Sequence, residues 1–190
     1  MRGNGIPMSR DIWIISDTHF VHKNILGFKD NEGNLMRPGF DSVDHMNEYM
    51  VQQWNSVVKP GDIVYHLGDV VIGPKYKFLP LFKRLNGSKR LIVGNHDDIK
   101  FMAKKELFTK IMMWRMFREF GLLLSHVPVH ESSLRRGPPG HEHDPEYDPT
   151  RMINVHGHIH DKPSPPGPYR CVCVEQIDYT PVNIDELRIR

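Results

Sequence analysis

Five short runs of apolar residues are spaced along the chain, and each run ends at a Gly or a Ser. The runs are IWIIS to Ser16, IVYHLG to Gly68, RLIVG to Gly94, GLLLS to Ser125 and MINVHG to Gly157. Their length and their aliphatic, β-branched content are typical of strands that are buried on both faces. We therefore predict five buried β-strands, each followed by a turn.

Between the first two of these runs, apolar residues recur at the spacing of a helix. Ser42 is a candidate N-cap, and the residues after it repeat at helical spacing until Pro60 and Gly61 interrupt the pattern. The repeating apolar residues are Met46, Tyr49, Met50 and Trp54. Two further helices are predicted over residues 75–85 and 98–108.

The second half of the chain has a different pattern. The stretch MMWRMFREFGLLLSHVPV predicts a hairpin that turns near residues 119–121, and YRCVCVEQIDYTPVNI predicts closing strands. Helices that alternate with strands early, and hairpins late, indicate an α/β fold with mixed sheets. Residues 130–149 lack periodicity, which favours an irregular insertion, either a mobile surface loop or a lid beside a site. We predict a single domain over residues 1–190.

Composition narrows the class of protein only slightly. The formal charge of +2 gives no global field for nucleic acid or an anionic membrane. Residues 75–110 hold ten basic residues against three acidic ones, which could guide a nucleic acid, although solvated helix faces explain the excess more simply. The two cysteines lie in RCVCV as buried strand residues, and the first apolar run is too short for a secretory signal. We expect a cytoplasmic protein without a membrane partner.

Polar residues that can bind metals follow each of the five predicted strands. They are Asp17 and His19, then Asp69, then Asn95, His96 and Asp97, then His126, and finally His158 and His160. Sites in such folds form outside the carboxyl ends of the strands, so these side chains should meet in one crevice. Oxygen and imidazole donors without thiolates suit Mn, Fe, Zn or Ni, and their number suggests two ions.

The ordered blocks D-x-H, GD, GNHD, H and GHxH resemble those of the calcineurin-like metallophosphoesterases. MNEYMVQQWNSVVKPGDIVYHLGD and VEQIDYTPVNIDEL are similar to the small single-domain bacterial and phage members, so the resemblance covers nearly the whole chain. It implies a sandwich of two mixed β-sheets flanked by helices.

The resemblance also implies two metal sites. One ion would be held by Asp17, His19, Asp69 and His160, and the other by Asp69, Asn95, His126 and His158. Asp69 would bridge, since its two oxygens can hold two cations. Mn²⁺ is favoured, with Fe, Zn or Ni as alternatives. His96 would be the proton donor, and Asp97 would orient His96 or a metal ligand.

The implied reaction is phosphate ester hydrolysis. Protein phosphatases of this type carry GDxxDRG, whereas this chain has GDVVIGP, with Ile72, Gly73 and Pro74 at the last three places. The missing Arg disfavours a protein phosphatase and favours a phosphodiesterase, because a diester carries less negative charge than a monoester. Nucleotides are the expected substrates, with 2′,3′-cyclic nucleotides and RNA ends among the candidates. The alternatives are a phosphomonoesterase of small molecules and a non-catalytic scaffold.

Three further residues could contact a substrate phosphate. His22 and Asn24 follow the first ligand pair, where a role at the start of a helix is the alternative. Arg37 could reach a phosphoryl oxygen or lie on the surface. His66 and His156 are expected to be hydrogen-bonded core residues rather than ligands.

Overall fold

The computed structural model describes residues 10–134 and 152–188. Within these ranges, nine strands form two sheets. The first sheet has the order β4-β3-β2-β1-β9, and β9 is its one antiparallel member. Its strands are β1 (Ile12–Ile15), β2 (Ile63–His66), β3 (Ser88–Ile92), β4 (Lys110–Met112) and β9 (Val182–Asn183).

The second sheet has the order β5-β6-β7-β8. The strands β5 and β6 are antiparallel and form the predicted hairpin, whereas β6, β7 and β8 are parallel. The strands are β5 (Trp114–Phe117), β6 (Leu122–Ser125), β7 (Ile153–His156) and β8 (Tyr169–Cys171). The two mixed sheets confirm the expected α/β sandwich.

Four α-helices flank the sheets in the described ranges: α1 (Val43–Val57), α2 (Lys75–Arg84), α3 (Ile99–Lys104) and α4 (Ile184–Leu187). Ser42 caps α1 as predicted, because its side chain accepts a hydrogen bond from the amide of His45. The helix predicted over 98–108 is shorter, since Glu106 takes a left-handed backbone conformation with φ of 50°. Residue 108 therefore lies beyond the helix.

Side-chain alternation along the central strands gives the first sheet two buried faces. Ile14 packs in the cluster between the sheets with Leu122 and Val155, while Ile15 packs against the helices with Trp54. Successive strand residues point to opposite faces, so neighbouring apolar residues serve two different cores. The continuous apolar runs of the sequence reflect this double burial.

The parallel register brings the carboxyl ends of β1, β2 and β3 together, and the ends of β6 and β7 join them across the sandwich. Gly157, after β7, donates its amide to the carbonyl of His126, after β6. Asp17, after β1, donates its amide to the carbonyl of Gly68, after β2. The predicted insertion at 130–149 lies mostly outside the described residues, because the first described range ends at 134, with a 3₁₀ turn over Glu131–Leu134.

Candidate metal centre

One group of candidate ligands surrounds the end of β1. Nε2 of His19 lies 3.8 Å from Oδ1 of Asp17, and Nε2 of His160 lies 4.0 Å from the same oxygen. Asp17, His19 and His160 each offer one ligand atom within 4.8 Å of the others. This spacing fits three donors around one cation.

Asp69 joins this group to a second one. Its Oδ2 lies 3.8 Å from Nε2 of His19 and 3.6 Å from Nε2 of His126. Its Oδ1 accepts a hydrogen bond from the amide of His96 at 2.8 Å. A single oxygen of Asp69 therefore faces both groups, rather than one oxygen facing each.

The second group is completed by three side chains in mutual contact. Oδ1 of Asn95 lies 2.9 Å from Nε2 of His126 and 3.0 Å from Nδ1 of His158. The two imidazole nitrogens are 3.2 Å apart. All seven residues expected from the sequence as ligands thus lie in one cluster.

Several polar atoms in this cluster are buried without a hydrogen-bond partner among the described residues. They include Oδ1 of Asp17 and both ring nitrogens of His19. Such atoms are rare in folded proteins because burial removes their hydration without replacing it. A divalent cation bound between them would satisfy Oδ1 of Asp17 and one nitrogen of His19, so the residues present fit a metal.

Two hydrogen bonds fix the tautomers of candidate ligands. Nδ1 of His126 lies 2.7 Å from the carbonyl oxygen of Leu67, which can only accept, so Nδ1 carries the proton. Nδ1 of His160 lies 2.9 Å from Oε1 of Glu175 and donates in the same way. In both rings, Nε2 is left with a lone pair toward the cluster, as metal ligation requires.

Glu175, which the sequence reasoning missed, is held in turn by Arg37. The Nε and Nη2 atoms of Arg37 each lie 2.7 Å from Oε1 of Glu175. Nη2 also donates to the carbonyl of Asp17 at 2.6 Å, and Nη1 donates to that of Thr18 at 3.0 Å. Arg37 is only 1 % exposed. Arg37 therefore does not make the suggested contact with a phosphoryl oxygen. It instead supports the backbone of Asp17 and the carboxylate of Glu175 behind the candidate ligands.

Hydrogen bonds to Oδ2, the other carboxylate oxygen of Asp17, fix the position of this side chain. Oδ2 accepts hydrogen bonds from the Ser16 hydroxyl at 2.5 Å, the His158 amide at 2.8 Å and the Cys173 thiol at 3.3 Å. Burial acts to raise the pKa of Asp17, but the nearby His19 and His126 imidazoles and the groups that donate to Oδ2 outweigh it and hold the pKa well below the usual range. The carboxylate is thus kept ionised with Oδ1 toward the cluster.

Asp97 connects two of the strand ends. Its carboxylate accepts hydrogen bonds from the amides of Asp69, Val70 and Gly94 at 2.8 to 3.0 Å. Burial raises the pKa of Asp97 despite these donors. This contact positions the backbone of Asp69, the second of the two roles expected for Asp97, and the carboxylate does not contact the His96 ring.

The backbone at the site is strained. Five of the seven candidate ligands have positive φ: Asp17, His19, Asp69, His158 and His160. Such conformations are uncommon outside Gly and cluster at functional sites. Gly157 is required next to them, because a Cβ there would collide with Oγ of Ser16 and Oδ2 of Asp17. A Cβ on Gly94 would likewise collide with the carboxylate of Asp69.

The remaining candidates lie at different depths. His96 is exposed, with its ring centroid 5.9 Å from that of His19. His22 is half-buried, its centroid is 5.8 Å from that of His19, and burial with the nearby imidazoles lowers its pKa to about 4. Asn24 is exposed in the 3₁₀ turn Lys23–Gly27.

His66 is fully buried and hydrogen-bonded to Thr18, and burial lowers its pKa to about 3, as suits a core residue.

Fold and site together define a metal-dependent phosphoesterase architecture, and comparison with known proteins assigns the family. The chain belongs to the calcineurin-like phosphoesterases, whose sequence profile matches residues 10–183. The family implies a hydrolase of phosphoesters that uses divalent metal ions. Among the described residues, none of the helices is both long and apolar enough to cross a lipid bilayer.

The similar proteins come from diverse organisms. The uncharacterized protein MJ1445 of Methanocaldococcus jannaschii is 33 % identical over 181 residues, which is 93 % of this chain and 88 % of that protein. The Gene 66 protein of Mycobacterium phage L5 is 34 % identical over 88 residues, covering 45 % of this chain and 39 % of the phage protein. The crystal structure of AQ665, a protein of unknown function from Aquifex aeolicus, has a TM-score of 0.63 at 28 % identity and covers 94 % of this chain and 98 % of that one.

Proposed function

We propose that this protein is a two-metal phosphodiesterase that acts on nucleotides, with Mn²⁺ as the favoured metal. The observation that carries the proposal is the position of Oδ2 of Asp69, within 3.8 Å of His19 and 3.6 Å of His126. This oxygen lies between two groups of donors, each of which has the composition of a cation site. The non-catalytic scaffold is disfavoured because none of these donors is missing.

In this proposal, Asp17, His19, Asp69 and His160 hold one ion, and Asp69, Asn95, His126 and His158 hold the other. When bound, the ions lower the pKa of a water molecule and draw charge from the phosphoryl oxygens. Glu175 and Leu67 keep the Nε2 atoms of His160 and His126 free for ligation. Asp97 fixes the backbone of the bridging Asp69 through its amide.

His96 is assigned as the general acid. It is exposed next to His19, and its amide is tied to Oδ1 of Asp69, so its ring stands at the rim of the centre. An imidazolium N–H at this place would give its proton to the leaving alkoxide oxygen. His22 and Asn24 are the candidates for phosphate contacts from the β1 side.

The preference for diesters is supported by Gly73. This residue stands where protein phosphatases of the family carry the Arg that grips a phosphate. Its φ is 137°, and a Cβ would lie 2.8 Å from the carbonyl oxygen of Val21. A side chain at residue 73 is therefore excluded by the backbone. A monoester dianion would lack the cation it needs at this position, whereas a diester depends on it less.

The test is kcat/KM with Mn²⁺ for a 2′,3′-cyclic nucleotide, measured beside the corresponding 2′- and 3′-monophosphates. We expect the cyclic diester to be the better substrate. An Asp69→Asn preparation, purified in parallel, shows how much of any activity comes from contaminating phosphatases. A clear preference for the monophosphates would overturn the diesterase proposal, and no turnover of any phosphoester would revive the scaffold.

A further inference from the structure

An apolar cavity of about 630 Å³ opens beside the second group of candidate ligands. Asn95 and His126 belong to its wall, so the cavity borders the metal centre. Most of the remaining lining is hydrophobic and comes from the β5–β6 hairpin and its flanks: Met113, Trp114, Met116, Leu123 and Val127. A cavity of this size is typical of ligand sites.

Two large hydrophobic residues of this cavity are unusually accessible. Met113 is 66 % exposed and Trp114 is 60 % exposed. The hydroxyl of Ser125 in the wall is already used, since it donates to the carbonyl of Val127 at 2.7 Å. Around Met113, Trp114 and Met116 the cavity therefore offers apolar and thioether surface, which suits the face of an aromatic ring.

A second cavity, of about 470 Å³, adjoins the first and shares Trp114 and Met116 with it. Four cationic side chains contribute to its wall: Arg90, Lys110, Arg115 and Arg118. No carboxylate is among the described residues that line it. The local potential is positive although the whole chain carries only +2.

The metal centre borders the first cavity, whose apolar wall we call the Trp114 surface, and this cavity adjoins the second one, which we call the basic cleft. From this order we infer that the substrate is a single-stranded oligonucleotide. The inference rests on the proposed function and extends it from nucleotides to polynucleotide ends. The scissile phosphodiester lies at the metal centre, the adjacent base stacks on Trp114, and the next phosphate lies among the cations. Aromatic platforms beside basic grooves are the usual means of binding single strands.

The succession of the metal centre, the Trp114 surface and the basic cleft argues against a smaller ligand. A mononucleotide would occupy the metal centre and the Trp114 surface but would leave Arg90, Lys110 and Arg115 without a partner phosphate. Trp114 and Met116 offer a base their apolar surface, and the Ser125 hydroxyl already donates to Val127, so we expect the Trp114 surface to contact mainly the face of the base. We therefore expect little sequence preference at this position.

The experiment measures binding of a fluorescent decathymidylate to the full-length protein by anisotropy, with EDTA present so that nothing is hydrolysed. Trp114→Ala should weaken binding by roughly 5- to 150-fold, the range for loss of one base–aromatic stack. Trp114→Phe should recover most of the affinity. Tyr76→Ala removes an aromatic side chain on α2 that is 74 % exposed and lines neither cavity, and the variant should bind as the wild type does.

Salt dependence tests the basic cleft separately. Each phosphate contact to a single strand contributes about 0.7 to the slope of log K against log salt. Lys110→Gln and Arg115→Gln should each reduce the slope by about that amount, whereas Lys77→Gln on α2 should leave it unchanged. Unaltered affinity in Trp114→Ala, an unaltered slope in both cleft variants, or wild-type affinity no higher for decathymidylate than for thymidylate would overturn the inference.

The proposed function fails by a different result. Turnover of bis(p-nitrophenyl) phosphate with Mn²⁺ requires the metal centre but not the basic cleft. If wild-type protein hydrolyses this ester and the binding experiment is negative, only the oligonucleotide inference is wrong. If the binding experiment is positive and no diester is hydrolysed, only the phosphodiesterase proposal is wrong.

Discussion

Nδ1 of His160 lies 2.9 Å from Oε1 of Glu175, although His160 follows β7 and Glu175 lies in the 3₁₀ turn Val174–Gln176. Burial acts to lower the pKa of His160, but the Glu175 carboxylate outweighs it, so the pKa is raised. The contact also turns Nε2 toward Asp17. A carboxylate behind a ligating imidazole is a common arrangement in metalloproteins.

Replacing Glu175 should weaken one metal site selectively. In Glu175→Gln, the carboxylate that orients His160 is lost while the shape is kept, and the affinity for one of two Mn²⁺ ions should fall roughly 10- to 100-fold. Isothermal titration with Mn²⁺ measures both affinities. Glu32→Gln, in an exposed loop, is the control. Equal affinities in variant and wild type would remove Glu175 from the site.

Asp69 is the residue whose loss should affect both ions. Asp69→Ala should leave well under two equivalents of bound metal and lower diester turnover by roughly 10³-fold or more, since Lewis-acid stabilisation is worth several kcal/mol. Elemental analysis after dialysis gives the metal content. Asp41→Ala removes an exposed carboxylate and should bind two equivalents. A fully loaded, active Asp69→Ala protein would contradict the bridging role.

His96→Ala should retain most bound metal but lose rate in proportion to the basicity of the leaving group. General acid catalysis contributes about 10²–10⁴-fold, and an aryl oxide leaving group needs little of it. The measurement is kcat for a series of aryl and alkyl esters of one nucleotide. A uniform loss across the series would assign His96 to phosphate binding instead.

Gly157→Ala should destabilise the folded protein, because the added methyl group would overlap Ser16 and Asp17. Overpacking of this kind costs about 1–3 kcal/mol of unfolding free energy. Gly27→Ala is the matched control, since nothing lies within 4 Å of a Cβ there. Urea unfolding of the metal-free proteins measures both. A Gly157→Ala protein as stable as the control would contradict the close approach of β7 to β1.

The burial of Lys89, a residue outside the metal centre, predicts that stability depends on pH. Burial lowers its pKa from 10.5 to about 8, with Nζ bonded to the carbonyls of Leu85 and Gly87. Between pH 8 and 10.5 the unfolded chain therefore keeps a proton that the folded protein has lost. This residue makes stability rise with pH in that window, by about 1–2 kcal/mol once the shift is discounted for solvent screening of a half-buried side chain.

Lys89→Met should remove that rise, and the difference in unfolding free energy between wild type and variant should change with pH only in this window. Chemical denaturation at pH 7, 9 and 10.5 provides the values. Lys83→Met, an exposed residue near the end of α2, should follow the wild type at every pH. A difference between wild type and Lys89→Met that is constant with pH would show that Lys89 keeps its ordinary pKa.

Local patterns in the sequence were enough to predict the five central strands and the polar residues that follow them. Apolar runs of strand length are a local signal, and parallel strands necessarily bring their carboxyl ends to one edge. The candidate ligands from Asp17 to His160 were therefore found without coordinates, and the family followed from their order. Their roles as ligands stay predictions, as does the proton transfer assigned to His96.

The contacts that hold and surround those residues were visible only in the folded chain. Arg37 and Glu175 are 138 positions apart, so no local pattern connects them. The three-residue strand β4 is too short to show periodicity, and β8 and β9 enter different sheets although they are neighbours in sequence. The steric exclusion of a side chain at Gly73 and the two cavities that share Trp114 likewise depend on segments that come together only on folding. Periodicity reports which face of an element is buried, whereas partners across the chain are fixed by packing.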